Sequence, residues 1–312
     1  MKVYNALEEF KPLRYAVVTG GIFDGVHLGH QKILNRLNEA SRQMNGETAV
    51  YTFWPHPRRI LAPNGASLPL LHTREERIEA MRALGIQHLL HIPFTNEFSQ
   101  LTYGDFISEV LVKKIGTKKL IIGHDHRFGK NREGTFAHLS EAAPKYGFET
   151  EEIPAQDIEH IVISSSKIRK ALETHQPEIA SRLLGRPYSL SGTVMRGQQL
   201  GAKIGFPTAN IKVSSPDKLI PACGVYAAEA WHGEKKYKGM LNIGYRPTVN
   251  GKNLSVEVHI FNFSQNIYDQ SLTVRFLHFL REEKKFPTLE ALAEQLKIDS
   301  QICLEKFSHE TI

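Results

Sequence analysis

Five short apolar runs, YAVV, TAVYTF, HLLHIPF, KLIIG and FETEEI, punctuate the chain from Tyr15 to about Ile153, each separated from the next by ten or more residues. The intervening segments repeat their apolar positions at helical spacing. That alternation predicts an α/β domain with a Rossmann-like parallel sheet and crossover helices. Ile33, Leu34, Leu37 and Met44 share one face of a helix expected to start near Gly29. Thr73 followed by Glu76 predicts a capping box, in which hydroxyl and carboxylate each satisfy the other's backbone donor. Further helices are expected over residues 103–115, 135–146, 165–172 and 177–184.

The pattern changes at Gly185-Arg186-Pro187, which sets the expected domains at 1–185 and 186–312. Beyond it, GVYAAEAW, YKGMLNI, NLSVEVHIFNF and SLTVRFLHFL read as strands without intervening helices, with turns between them such as NGKN at Asn250 to Asn253. Successive strands of this kind predict an antiparallel β-barrel. A terminal helix is expected from Thr288 to Phe307, with Leu289, Leu292 and Leu296 on one stripe.

Composition narrows the function. A chain of 312 residues can bury two cores, and it has no window of eighteen uninterrupted apolar positions, so no membrane partner is expected. With only two cysteines, Cys223 and Cys303, there is no CxxC knuckle and no disulfide framework, and the N-terminal MKVYNALEEFKPLRY lacks a long apolar core and a small-residue cleavage site, so a reducing cytoplasm is expected. Thirty-nine Lys and Arg against 33 Asp and Glu give a net charge of +6 and suit an anionic partner. The basic doublets at 113–114, 118–119 and 235–236 are short and interrupted. Phosphate-bearing small molecules are therefore expected ahead of nucleic acid. These features leave the oligomeric state open.

The first candidate site is FDGVHLGH, Phe23 to His30, between the first expected strand and its helix. Glycines 20, 21, 25 and 29 allow close backbone approach to a ligand, and the helix N-terminus offers unpaired N–H groups to a phosphate. His27 and His30, three apart, can place two imidazoles on one phosphate; a tight turn with two solvated histidines fits the same residues. In the second half, GQQLGAKIGFPTANI carries Gly197, Gly201 and Gly205, a flap with exposed amides for polyphosphate. Thr208 and Asn210, two apart on an extended strand, emerge on one face and can offer oxygen to Mg²⁺. In NLSVEVHIFNF, Leu254, Val256, Val258 and Ile260 alternate with a face that carries Glu257 and His259.

HLGH after FDG resembles the HxGH signature of the nucleotidylyltransferases. With TFWPHP (52–57), GHDHRFGKNREG (123–134), ISSSKIR (163–169) and the flavokinase-like GQQLGAKIGFPTAN, nearly the whole chain resembles the bacterial bifunctional riboflavin kinase/FAD synthetase family. HxGH also occurs in aminoacyl-tRNA synthetases, but ISSSKIR stands where those would show a KMSKS-like loop; a flavin- or RNA-binding regulator on the same scaffold is the alternative from another class. The resemblance implies a nucleotidylyltransferase-like first domain that adenylylates FMN to FAD and a barrel that phosphorylates riboflavin to FMN, with ATP as co-substrate and Mg²⁺ in both. It implies an ATP and phosphate cradle of Gly20, Phe23, Gly25 and Gly29, with His27 and His30 stabilising the α-phosphate. Ser165, Ser166 and Arg169 would take the leaving pyrophosphate, and His56, Asp125, Arg127 and Arg281 would serve the flavin. In the barrel it implies Gly197, Gly201, Lys203 and Gly205 on phosphate, Thr208 and Asn210 on the metal, and Glu257 as general base. NIGYRPT and REEKKF would support the flavin pocket. Three positions depart from the family pattern: Ile22 stands for Asn, His126 for an aromatic and Lys203 for Arg, the last keeping charge but losing the planar fork.

Overall fold

The computed structural model describes residues 1–61, 68–154, 163–197, 200–248 and 251–309. Its contacts divide the chain into two compact units, Met1–Ser165 and Ser166–Ile312.

The first unit is built on a six-stranded sheet in the order β1-β4-β3-β2-β5-β6, every pair parallel. The strands are β1 (Lys2–Tyr4), β2 (Ala16–Gly20), β3 (Glu47–Trp54), β4 (His88–Pro93), β5 (Thr117–Gly123) and β6 (Glu149–Ile153). A parallel sheet covered on both faces buries every position of its central strands, which is why the runs read as continuous apolar stretches; all five residues of β2 are buried. Val17, Val50, Leu89 and Ile121 face Leu34, Leu37 and Met81, while Val18, Ala49, Leu90 and Ile122 face Phe106, Val110, Leu111 and Leu139. β1 was not expected: three residues are too few to leave a periodicity, and Lys2–Tyr4 become a strand only by pairing with His88–Leu90. The capping box at Thr73 and Glu76 is present at the start of the helix Arg74–Ala83. Within the expected helix at 103–115, Phe106–Lys114 is a π-helix.

β2 lies between β3 and β5, where the strand order reverses. In open parallel sheets this switch point opens a crevice beyond the carboxyl ends of the strands, and ligands bind there. The loop Gly21–His27 leaves β2 at that point and enters the helix Leu28–Gln43.

The second unit contains a closed six-stranded barrel, β10-β11-β8-β7-β12-β9, with all pairings antiparallel. Its strands are β7 (Tyr188–Met195), β8 (Ala209–Val213), β9 (Gly224–His232), β10 (Lys235–Thr248), β11 (Gly251–Ile260) and β12 (Ser271–Arg281). β7 passes so close to β8 that a Cβ on Gly192 would sit 2.2 Å from the Lys212 carbonyl oxygen, so glycine here serves strand crossing. The turn expected at Asn250 to Asn253 is corrected: Gly251–Asn253 pair with β10 as strand, and Asn250 lies outside the described residues.

The terminal helix runs Leu289–His309. Its buried face is Asp299, Cys303 and Phe307, with Leu296 packed alongside, whereas Leu289 is 44% exposed. The expected stripe is thus displaced toward the C-terminal half, because that half is where the helix lies on β10 and the Cys303 thiol reaches the Gly239 carbonyl.

Candidate active sites

The chain turns sharply between β2 and its helix. Phe23 (φ 52°), Gly25 (φ 86°) and Val26 (φ 41°) are left-handed, a region that costs a non-glycine residue about 1–3 kcal/mol. The surroundings offset this. Phe23 and Val26 bury their side chains in the core, and the Asp24 carboxylate accepts from the Leu71 and His72 amides at 3.1 and 3.0 Å. Asp24 was not singled out from sequence; its signal is an acid between Phe23 and Gly25 in an otherwise apolar loop.

His27 is the N-cap of the helix Leu28–Gln43, its Nδ1 accepting from the His30 amide at 3.3 Å. An accepting Nδ1 puts the proton of neutral His27 on Nε2, leaving a donor for an anionic oxygen. The two imidazoles stack with centroids 3.5 Å apart and planes 15° from parallel. Burial holds His30 well below the usual histidine range, with His27 and Arg77 adding repulsion. A proton on His27 Nδ1 would take the lone pair from the cap, and burial, His27 and Arg77 all act against a proton on His30.

Gly20 has a packing role beside any ligand role, since a Cβ there would fall 1.8 Å from the Tyr51 ring. Gly29 is buried in the first helical turn. The carboxyl ends of β3 and β5 deliver their loops to the same sheet edge. His56 is buried and its Nδ1 accepts from the Arg58 amide at 3.1 Å; Asp125 and Arg127 are exposed, with Arg127 Nη1 donating to the His126 carbonyl at 3.0 Å. Burial pushes His126 down to about 4. Ser165 Oγ donates to the Asp24 carbonyl at 2.9 Å, which brings the start of ISSSKIR to the FDG loop. Ser166 is exposed and Arg169 buried on the helix Ser165–Glu173.

Beneath the loop, His91 on β4 is 3% exposed and neither ring nitrogen has a partner among the described residues. Burial pushes it down to about 4, with Arg74 and Arg77 contributing repulsion. Below its ordinary value near 6.5 the unfolded chain takes up a proton that the fold refuses, so stability falls as pH drops from about 6.5 toward 4, by up to about 1.4 kcal/mol per pH unit from this group. The urea midpoint of the first unit, followed by Trp54 fluorescence, should be clearly lower at pH 5 than at pH 7.5, and His91→Leu should shrink that difference, the remainder coming from buried His30 and His126. Equal midpoints at both pH values in the unmodified protein would refute it.

In the barrel, Glu257 on β11 pairs with Asn210 on β8. Thr208 Oγ1 donates to Glu257 Oε2 at 3.2 Å and Ser255 Oγ approaches Oε1 at 3.4 Å. Ser255 went unnoticed in the sequence; its place two residues from Glu257 on the polar face was the available signal. His259 Nδ1 donates to the Pro207 carbonyl at 2.7 Å and so pins the backbone entering Thr208. A Cβ on Gly197 would meet the Asn210 amide of β8 at 2.2 Å, and one on Gly201 the Phe206 carbonyl at 2.2 Å, so glycine at 197 allows close approach to β8 and glycine at 201 the tight turn that leads into it. Gly205 is left-handed (φ 86°), and Lys203 is exposed on the short helix Leu200–Lys203. Glycine flap, metal-ligand candidates and acid thus converge. Arg281 is engaged elsewhere: its guanidinium forks onto buried Asp299 at 2.6–3.1 Å and ties β12 to the terminal helix. NIGYRPT and REEKKF do meet, since a Cβ on Gly244 would lie 2.0 Å from Glu283.

The sheet unit thus carries a histidine pair at its switch point, and the barrel gathers a glycine flap, Thr208, Asn210 and Glu257. Residues 10–167 match the FAD synthetase family and residues 184–307 the riboflavin kinase family. A bifunctional riboflavin kinase/FMN adenylyltransferase of Haemophilus influenzae is 37% identical over 92% of both chains, and that of Escherichia coli K12 is 37% identical over 95% of this chain and 94% of its own. The chain belongs to the bifunctional riboflavin kinase/FMN adenylyltransferase family. A solved structure described as a macrolide-efflux protein from Streptococcus pneumoniae is 29% identical, with a TM-score of 0.87 over 97% of this chain and 98% of that one. Among the described residues no helix is long and apolar enough to cross a membrane.

Proposed function

We propose that the barrel moves the γ-phosphate of ATP to the 5′-hydroxyl of riboflavin, and that the sheet domain moves AMP from ATP to the phosphate of FMN. In the first reaction the 5′-oxygen attacks the γ-phosphorus, the β–γ bridge breaks and ADP leaves, while Glu257 takes the hydroxyl proton. In the second an FMN phosphate oxygen attacks the α-phosphorus, the α–β bridge breaks and pyrophosphate leaves. Such transfer is governed by positioning and charge. His27 and His30 donate to the α-phosphate oxygens as charge builds, and Ser165, Ser166 and Arg169 serve the pyrophosphate. The observation that carries this reading is the stacked His27–His30 pair at a helix N-terminus on the switch point of a parallel sheet.

Mg²⁺ fits the barrel donors. Thr208 commits its hydroxyl hydrogen to Glu257 and keeps lone pairs for a cation, and Asn210 adds a second hard oxygen beside it. When bound, the ion supplies neutralisation of polyphosphate charge. We place the module boundary at 185/186 and the enzyme in the cytoplasm. His56, Asp125 and Arg127 are assigned to the flavin, while Arg281, forked onto Asp299, holds the terminal helix against β12.

Full-length protein given riboflavin, ATP and Mg²⁺ should form FMN first and FAD after it, with one ADP and one pyrophosphate released in turn. Protection of FMN without release of ADP or pyrophosphate would identify a binder and overturn the assignment.

A further inference from the structure

Among the described residues the bulkiest fully buried side chain is a cation that the reaction scheme does not use. Arg77, on the helix Arg74–Ala83, is 0% exposed. A buried guanidinium is costly unless a carboxylate forks onto it. Arg77 has no such partner among the described residues: Nη1 donates to Thr52 Oγ1 at 3.2 Å, the guanidinium lies 5.6 Å from the centre of the Trp54 ring, and Nε and Nη2 meet no acceptor. A Met or Leu would fill the space at lower cost, so the charge and the donor geometry need a reason.

The contacts around it supply one. Thr52 accepts from Arg77 and donates its own hydrogen to the Ile22 carbonyl at 3.2 Å, one residue before left-handed Phe23. Asp24 accepts from the Leu71 and His72 amides, directly before the Thr73 cap of the helix that carries Arg77. Loop and helix are thus tied twice. Burial lowers the Arg77 pKa; of the charges that face it, Asp24 favours the cationic form and Arg74 opposes it. Arg77 in turn repels a proton from His30 and from His91. His30 is faced by His27 and Arg77, both of which act against its protonation.

We propose that Arg77 is a positioning residue for adenylyl transfer, holding the FDGVH loop through Thr52 and the Ile22 carbonyl and placing a fixed positive charge beside His30. The inference rests on the assignment of that pair to FMN adenylylation.

The test compares wild type, Arg77→Met and Arg77→Lys in full-length protein supplied with FMN, ATP and Mg²⁺. Readouts are pyrophosphate release from pH 5 to 9, the His30 ring resonances over the same range, and thermal unfolding. Arg77→Met should lose about 10- to 100-fold in kcat, the scale of a misplaced reacting group. Its acid limb and its His30 titration should both move up as the neighbouring cation is lost. Arg77→Lys should keep the acid limb at the wild-type position while kcat falls about tenfold, because charge is retained and the fork is not. A folded Arg77→Met with wild-type kcat, or with reduced kcat but an unmoved acid limb and His30 titration, overturns the proposal. Should Arg77→Met not fold, Arg77→Lys decides: a wild-type kcat or a shifted limb overturns it. Wild-type protein that releases no pyrophosphate would instead overturn the underlying assignment.

Discussion

Glu257→Gln should lower riboflavin phosphorylation by about 10²- to 10⁴-fold, the scale of a general base, while FAD formation from supplied FMN continues. The carboxylate accepts from Thr208, with Ser255 beside its other oxygen. A glutamine keeps the shape and can still accept from Thr208 through its carbonyl. Its NH₂ faces Ser255, whose hydroxyl already donates to the Gly244 carbonyl at 3.1 Å and retains a lone pair for it. Polar satisfaction therefore survives, the barrel should unfold at nearly the wild-type temperature, and only the capacity to take a proton is lost. The measurement is the initial rate of FMN formation by chromatography, with FMN-to-FAD conversion in parallel. An unchanged FMN rate removes Glu257 from the role of base.

His27→Ala/His30→Ala should slow FAD formation by about 10²-fold or more through loss of donors to the developing charge, and FMN should accumulate. The double variant also removes an N-cap, worth about 1 kcal/mol, since His27 Nδ1 holds the His30 amide. His27→Asn separates the two effects: it offers a cap oxygen to the same amide, so thermal stability should return while the imidazole donor stays absent and the rate stays low. If His27→Asn recovers the rate together with the stability, His27 acts as a cap alone. Loss of both activities in a folded double variant would contradict two separate sites.

The central sheet was legible in the chain because parallel strands covered on both faces must be apolar at nearly every position, and β2, β3, β4 and the second half of β5 carry that signature, whereas β6, ETEEI at the sheet edge, buries only Ile153. The entry to the first helix was legible for a similar local reason, a run of glycines and histidines between a strand and a helical stripe. So was the polar face of β11, where a period of two placed Glu257 beside His259 before any contact was known. These are properties of neighbours in sequence, and local periodicity records them. What the tertiary structure decided involves partners far apart along the chain. Lys2–Tyr4 are a strand because β4 is there to pair with them, and β7 is a strand because Gly192 lets β8 pass. Arg281 is drawn to Asp299, 18 residues on, and Arg77 belongs by composition to a solvated helix face yet is sealed beneath the FDG loop. A side chain's burial is set by what closes over it, and the elements that close over Arg77, the loop after β2 and the strands β3 and β4, meet its helix only when the sheet has assembled.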